Sequence, residues 1–284
     1  MPIFVLDEAV ESGSVKMIDL EFNVLRQPVH VRIGYRDEDV RLSDIVPVAR
    51  ILSSRILQTK LSRLRMVGKS VPCHKGCDAC CHTPVMVSVP EAMYLVEELR
   101  AKAPAGQFER YVEFCERAIR QVRDCLPMHA TPRDLGDVSA SEVSKFSDWY
   151  ANSSLSCPFL RGGSCEIYSY RPTMCRECFV IGSASQCQIG KESAVVSTIP
   201  GPLQVGEVLM HLASEFTHAH REGILIHSVF SWYERSEKVW RQRWPAGLLV
   251  KRFSEIVRSK VSVGGIRERA PRGQLDGDRT AALR

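Results

Sequence analysis

Eight cysteines stand in two tight groups, Cys73, Cys77, Cys80 and Cys81, then Cys157, Cys165, Cys175 and Cys178, while Cys115, Cys125 and Cys187 are scattered. A soft metal takes several thiolates at about 2.3 Å from one point, and short spacings on tight loops deliver them for little chain entropy. The pattern is a chelating one. In the first group, CxxxCxxCC, Gly76 supplies tight backbone curvature. Neighbouring Cys80 and Cys81 cannot easily aim both side chains at one tetrahedral ion, so they serve different sites or one is a bystander. About 75 residues of mostly helical pattern separate the groups. A shared metal would clamp two distant segments, and its binding energy would become folding energy.

Disulfides are not needed to hold such a chain together. With 284 residues and 44% hydrophobic content it can fill a core unaided. Met1 to Val10 carries no Lys or Arg, the wrong chemistry for a secretory leader, and no apolar run approaches the roughly 18 residues of a membrane span. The expected location is cytoplasmic, where thiols stay reduced and thiolate clusters read as metal or redox sites. A net charge of +5 and a pI near 8.6 fall short of a nucleic-acid binder and argue against that partner. Between Ile45 and Cys77 lie Arg50, Arg55, Lys60, Arg63, Arg65, Lys69 and Lys75 with no acid, a pattern read as the solvated face of a helix and otherwise as a surface for an anionic partner.

Alternation over Ser14 to Val24 and Val29 to Tyr35, around a turn at Arg26-Gln27-Pro28, predicts an antiparallel hairpin. Helices are predicted from Leu42-Ser43-Asp44 to Gly68, from Pro90 to Ala101, over Gln107 to Leu126, Ser141 to Ala151, Leu203 to Arg221, Ser228 to Arg241 and Ala246 to Lys260. The fold class is therefore α-rich α+β: an irregular cysteine-cluster core packed with helices, with a small N-terminal β-hairpin. Its divisions are a hairpin segment at 1–42, a helical domain at 43–264 holding the cysteine core at about 71–179, and a basic, disordered tail at 265–284.

The residues Cys73, Cys77, Cys80 and Cys81, then Cys157-Pro158-Phe159-Leu160, Gly163, Cys165, Ile167-Tyr168, Arg171-Pro172 and Cys175-Arg176, resemble the CxxCxxCC cysteine-cluster family, the YkgJ-type zinc- or iron-chelating domain. The likeness spans about Val71 to Phe179. It implies seven ligand candidates, with Cys178 added from its place in the second group. It also implies iron-sulfur or zinc chemistry; a flagellin lysine methylase carries a similar cluster, so a metal-dependent protein- or peptide-modifying enzyme is an alternative. No methyl-transfer motif is recognisable in Met1 to Ser70 or Val180 to Arg284, and no catalytic residue is assigned.

Both zinc and iron-sulfur clusters accept all-thiolate ligation. Eight thiols and the Cys80-Cys81 pair incline the reading to an iron-sulfur cluster over zinc. His74 and His82 flank the first group and read as solvent-facing residues able to replace a ligand. CxxxCxxC is also the spacing of radical S-adenosylmethionine enzymes, but here it follows a helix, Ala79 stands where an aromatic is usual, and no barrel repeat follows. A third reading is a zinc-folded interaction module whose basic helix, Ile51 to Lys69, docks an acidic protein or peptide. Tyr168, Arg171, Pro172 and Arg176 are expected to offset thiolate charge. His211, Glu215, His218 and Glu222 share one helix stripe, read as a polar face and otherwise as an acid/base pair or auxiliary metal site; Trp232 and Trp240, eight apart, are read as packing on one helix.

Overall fold

The computed structural model describes residues 1–6, 15–125, 146, 149–150, 152–153, 155–184, 203–217 and 223–264. Three antiparallel strands form an N-terminal sheet in the order β1 (Ile3–Leu6), β3 (Gln27–Tyr35), β2 (Lys16–Val24). The predicted hairpin is there, with two differences. A third strand joins it, and the turn is one residue earlier: Leu25 and Arg26 take φ of 51° and 66°, so Val24 pairs Gln27 and Pro28 sits inside β3. A two-residue turn with positive φ matches strand twist, which is why the register closes there although neither residue is a Gly or Asn. Alternate residues Leu20, Phe22 and Val24 of β2 and Val29, Val31 and Ile33 of β3 are buried. Gly34 lies where β1 crosses; a Cβ there would meet the Phe4 ring at 2.8 Å.

The sheet covers α1 (Val46–Met66) and α8 (Ala246–Gly264). Pro47 falls in the first turn of α1, where its missing N–H costs nothing. Helix α2 (Val89–Lys102) starts from a reciprocal cap: Ser88 Oγ accepts from Glu91 N, and the Glu91 carboxylate accepts from Ser88 N. Then come α3 (Gln107–Cys125), the short α4 (Thr173–Glu177), α5 (Val205–Thr217), α6 (Val229–Arg235) and α7 (Glu237–Trp240). With eight helices among the described residues, the fold is helix-rich α+β, as the sequence predicts. Sheet and helices share one hydrophobic core, into which Cys115 and Cys157 also pack. Two two-residue ladders tie distant segments, β4 (Asp39–Val40) with β9 (Trp244–Pro245) and β5 (Met86–Val87) with β8 (Ile224–Leu225), and a third, β6 (Leu160–Arg161) with β7 (Ser164–Cys165), closes a local hairpin.

The predicted helix Ser228 to Arg241 is two helices, broken at Ser236. The break lets the chain fold back, so Trp240 stacks on Tyr233 with centroids 5.0 Å apart and planes at 7°, and its indole N–H donates to Tyr233 O. Trp232 and Trp240 are packing residues, but not on one helix. The charge run is not a uniform solvated face either. Lys60 is only 6% exposed, Arg55 donates to His30 O, and the Arg50 guanidinium lies over the Tyr94 ring, leaving Arg63, Arg65 and Lys69 exposed. Glu215 accepts two bonds from Arg252 of α8, at 2.7 and 3.0 Å, and stands 3.4 Å from His211, so that stripe is a helix-to-helix ion pair. His218 and Glu222, most of the predicted helix Ser141 to Ala151, and the tail 265–284 lie outside the described residues.

A buried histidine makes one pH effect predictable. His227 is 1% exposed; its Nε2 donates to Ser156 O at 2.9 Å, and its Nδ1 has no partner among the described residues. Burial pushes its pKa below the ordinary 6.5, against the bond to Ser156. The unfolded chain therefore takes a proton near pH 6.5 that the folded protein refuses, and stability falls as pH drops from there until the lower folded value is passed. In thermal melts from pH 7 to pH 5, His227→Gln should show a flatter acid-side decline than the wild type.

Candidate metal centre

Helix α1 ends at Gly68, which takes a φ of 70°, and the chain runs straight into the loop that carries the first cysteine group. Gly76, at φ 96°, reverses it. Cys77 N donates to His74 O and Cys81 N to Asp78 O, and a single-turn 3-10 helix, Ala79–His82, presents Cys80 and Cys81. His74 Nδ1 donates to Pro72 O at 2.7 Å, leaving Nε2 as the lone-pair nitrogen. His82 is exposed at the end of the turn.

The second group is built from a hairpin and a helix. Phe159, 0% exposed, anchors it by edge-to-face contacts with Tyr111 and Phe230. Gly162 and Gly163, at φ 53° and 73°, turn β6 back into β7, placing Cys165 beside Leu160. Helix α4 then carries Cys175, and Cys178 N donates to Met174 O as its end cap. Three buried or half-buried groups that the sequence reading passed over fix α4. Thr173 N and Oγ1 both donate to Glu91 Oε1 of α2, while Glu177 Oε1 accepts from Ser53 Oγ of α1 and Val205 N of α5. Burial pushes the Glu177 carboxyl up to about 7, opposed by those bonds and by Lys60. The Ser88-to-Glu91 spacing is a recognisable capping box; its second use, holding α4, has no local signature.

The two groups meet. Cys157 N donates to Cys81 O at 2.7 Å, and Gly182 N to Ser70 O at 3.0 Å. Cys80 is the hub: its thiol is in electrostatic contact with those of Cys73, Cys81, Cys157, Cys165, Cys175 and Cys178, and Cys77 adjoins Cys73. The Cys81 thiol donates to the Cys80 sulfur, lowering the Cys80 pKa to about 6 and raising that of Cys81. Burial pushes Cys157 up to about 12 and Cys175 well above the usual thiol range. Cys157 and Cys165 act on Cys81 as well as on Cys80, and Cys80 also lines a cavity with Cys73, Cys77, Cys175 and Cys178. Cys115 is buried in the core, 2% exposed, away from the cavity lining; the Cys125 side chain and Cys187 lie outside the described residues.

Arg171 lies over the Tyr168 ring, 3.9 Å from its centroid, and its charge favours the thiolates of Cys80, Cys165 and Cys73. Arg176 ties the loop together, donating to Arg171 O, Ser169 O and Ser54 Oγ. The donor set suits a soft metal: sulfur-rich, flanked by cationic residues, and positioned by backbone bonds on both sides. Among the described residues, no three thiols, imidazoles or carboxylates stand in coordinating geometry, so the fit rests on donor chemistry and proximity.

Residues 72–193 match the CxxCxxCC family model, described as "Putative zinc- or iron-chelating domain". The matched stretch, similar to that domain, contains all eight clustered cysteines. Neither the curated proteins nor the solved structures returned a match to the chain. Among the described residues no helix is long and apolar enough to cross a membrane. The CxxxCxxC loop follows helix α1, and among the described residues every strand pair is antiparallel, unlike the barrel of radical S-adenosylmethionine enzymes.

Proposed function

We propose that the chain is a cytoplasmic metal-binding protein in which Cys73, Cys77, Cys80, Cys81, Cys157, Cys165, Cys175 and Cys178 hold an iron-sulfur cluster. The observation that carries this is the backbone bond from Cys157 to Cys81, which joins the two groups, with Cys80 of the first and Cys175 and Cys178 of the second lining one cavity. Eight sulfurs, twice the four of a closed zinc site, favour more than one metal atom. An iron-sulfur cluster would supply one-electron redox chemistry or a Lewis-acidic iron. The residues of the chain would position the sulfurs through α4 and the β6–β7 turn, and Arg171 would offset their charge.

Metal analysis after anaerobic purification tests the reading. Brown protein with iron and acid-labile sulfide is expected, and Cys77→Ser and Cys175→Ser should each lower the metal content. Colourless protein with stoichiometric zinc would replace the cluster with a structural ion and turn the domain into a folded scaffold. Full occupancy in either variant would strike that residue from the ligand set.

A further inference from the structure

The cavity beside the sulfurs is larger than a metal needs. Its volume is about 490 Å³, whereas four sulfurs at about 2.3 Å around one ion enclose on the order of 50 Å³ and a cluster roughly a few times that; pockets for small organic ligands run from about 300 to 1,000 Å³. Its walls are of three kinds. Cys73, Cys77, Cys80, Cys175 and Cys178 provide sulfur; Leu57, Leu61 and Leu64 of α1, with Phe179, provide hydrocarbon; Arg65, Lys69, Arg171 and Arg176 provide positive charge. No carboxylate lines it among the described residues.

The positive charge exceeds what the sulfurs absorb. Metal bound by the thiolates would cancel part of their charge, and four cationic side chains with no carboxylate share the same lining among the described residues. Crowding is already visible at Arg176, whose pKa is lowered to about 10 by burial and then by Arg50 and Arg171. Arg171 lines the cavity with its guanidinium over the Tyr168 ring, 3.9 Å from the centroid. A planar guanidinium held flat on a ring is suited to a carboxylate or phosphate.

We infer that the cavity binds a small organic anion, a carboxylate or phosphate on an apolar body, with its head on Arg171 and its body along Leu57, Leu61 and Leu64. This rests on the metal reading only in that the sulfur wall is taken to carry its metal, so binding and metal content are measured separately. Full-length protein as purified would be titrated by calorimetry with phenylbutyrate, phenyl phosphate, inorganic phosphate and, as a cationic control, phenylbutylamine. Saturable binding of one or both aromatic anions is expected, with inorganic phosphate weaker and the amine silent; which aromatic anion binds tighter distinguishes carboxylate from phosphate. Arg171→Gln should weaken binding by about tenfold or more, equivalent to about 1.4 kcal/mol. Because Arg171 also faces the thiols, Leu61 supplies a second handle on α1: Leu61→Glu should abolish binding while Leu61→Gln retains most of it, both at wild-type metal content. Metal-loaded protein that binds neither aromatic anion, or binds the amine equally well, overturns the inference and leaves the metal reading standing. So does equal binding by Leu61→Glu and Leu61→Gln. Metal-free protein that still binds the anions supports the cavity and sinks the metal reading.

Discussion

Cys80→Ser is expected to empty the centre and to destabilise the protein by about 4 kcal/mol or more, roughly 10 °C in melting temperature for a chain of this size. The size of the effect follows from linkage. The two cysteine groups come from segments about 75 residues apart, joined by two backbone bonds at Cys157–Cys81 and Gly182–Ser70, so metal that bridges them binds only the folded chain and its affinity adds to folding. Structural zinc in small domains contributes about 10–16 kcal/mol in apparent binding. Removing the hub sulfur, the one in contact with both groups, forfeits more than removing an outlying one such as Cys77. The control is Cys115→Ser. That thiol is buried more deeply than Cys80 and belongs to the core; a hydroxyl there costs about 1–3 kcal/mol and leaves metal content unchanged. Melting curves with and without chelator, paired with metal analysis, check both: chelator should lower the wild-type and Cys115→Ser transitions and leave Cys80→Ser where it is. Equal metal in Cys80→Ser and wild type would remove Cys80 from the centre.

What the sequence made legible was periodic or clustered. The helices α1, α2, α3 and α8 follow from apolar spacing and from the signals at Pro47, Gly68 and Pro90, and the structure places them within a few residues of expectation. The cysteine groups were visible because thiols at such spacings have few other uses. What could not be read was set by tertiary partners. Lys60 looked like one more surface charge on α1, yet it faces Glu177 on α4, a helix of five residues with no periodicity to betray it. The break at Ser236 goes with a stack of Tyr233 on Trp240 at 5.0 Å, closer than the roughly 10 Å between i and i+7 on a continuous helix, and no periodicity announces it. The cationic cavity depends on three leucines of α1 facing loops that begin after the helix ends, and no one-dimensional pattern joins them.

Glu91→Ala should be nearly as damaging as loss of a ligand, although the residue touches no sulfur. Glu91 is 4% exposed, and its two oxygens receive four donors: Thr173 N and Oγ1 at 2.7 and 2.9 Å on one, Ser88 N and Oγ at 3.2 and 2.7 Å on the other. Truncation leaves these donors in an interior with no replacement acceptor. Each costs about 1–3 kcal/mol and the costs overlap because the groups share one site, so about 4 kcal/mol in all is the expected loss. The start of α4 is pinned only through Thr173, and Cys175 lies two residues on; freeing that turn lets the sulfur drift, so metal content should fall along with stability. Glu91→Gln separates the two effects. It keeps the volume and one acceptor oxygen, which can stay on Thr173 while its amide N–H₂ opposes the Ser88 donors. The cap of α2 is then lost and α4 is held, giving about 2 kcal/mol of destabilisation with metal content near wild type. Urea melts give the first quantity and metal analysis of the same samples the second. If Glu91→Gln sheds metal as fully as Glu91→Ala, the carboxylate acts on the centre through its charge and not through the position of α4.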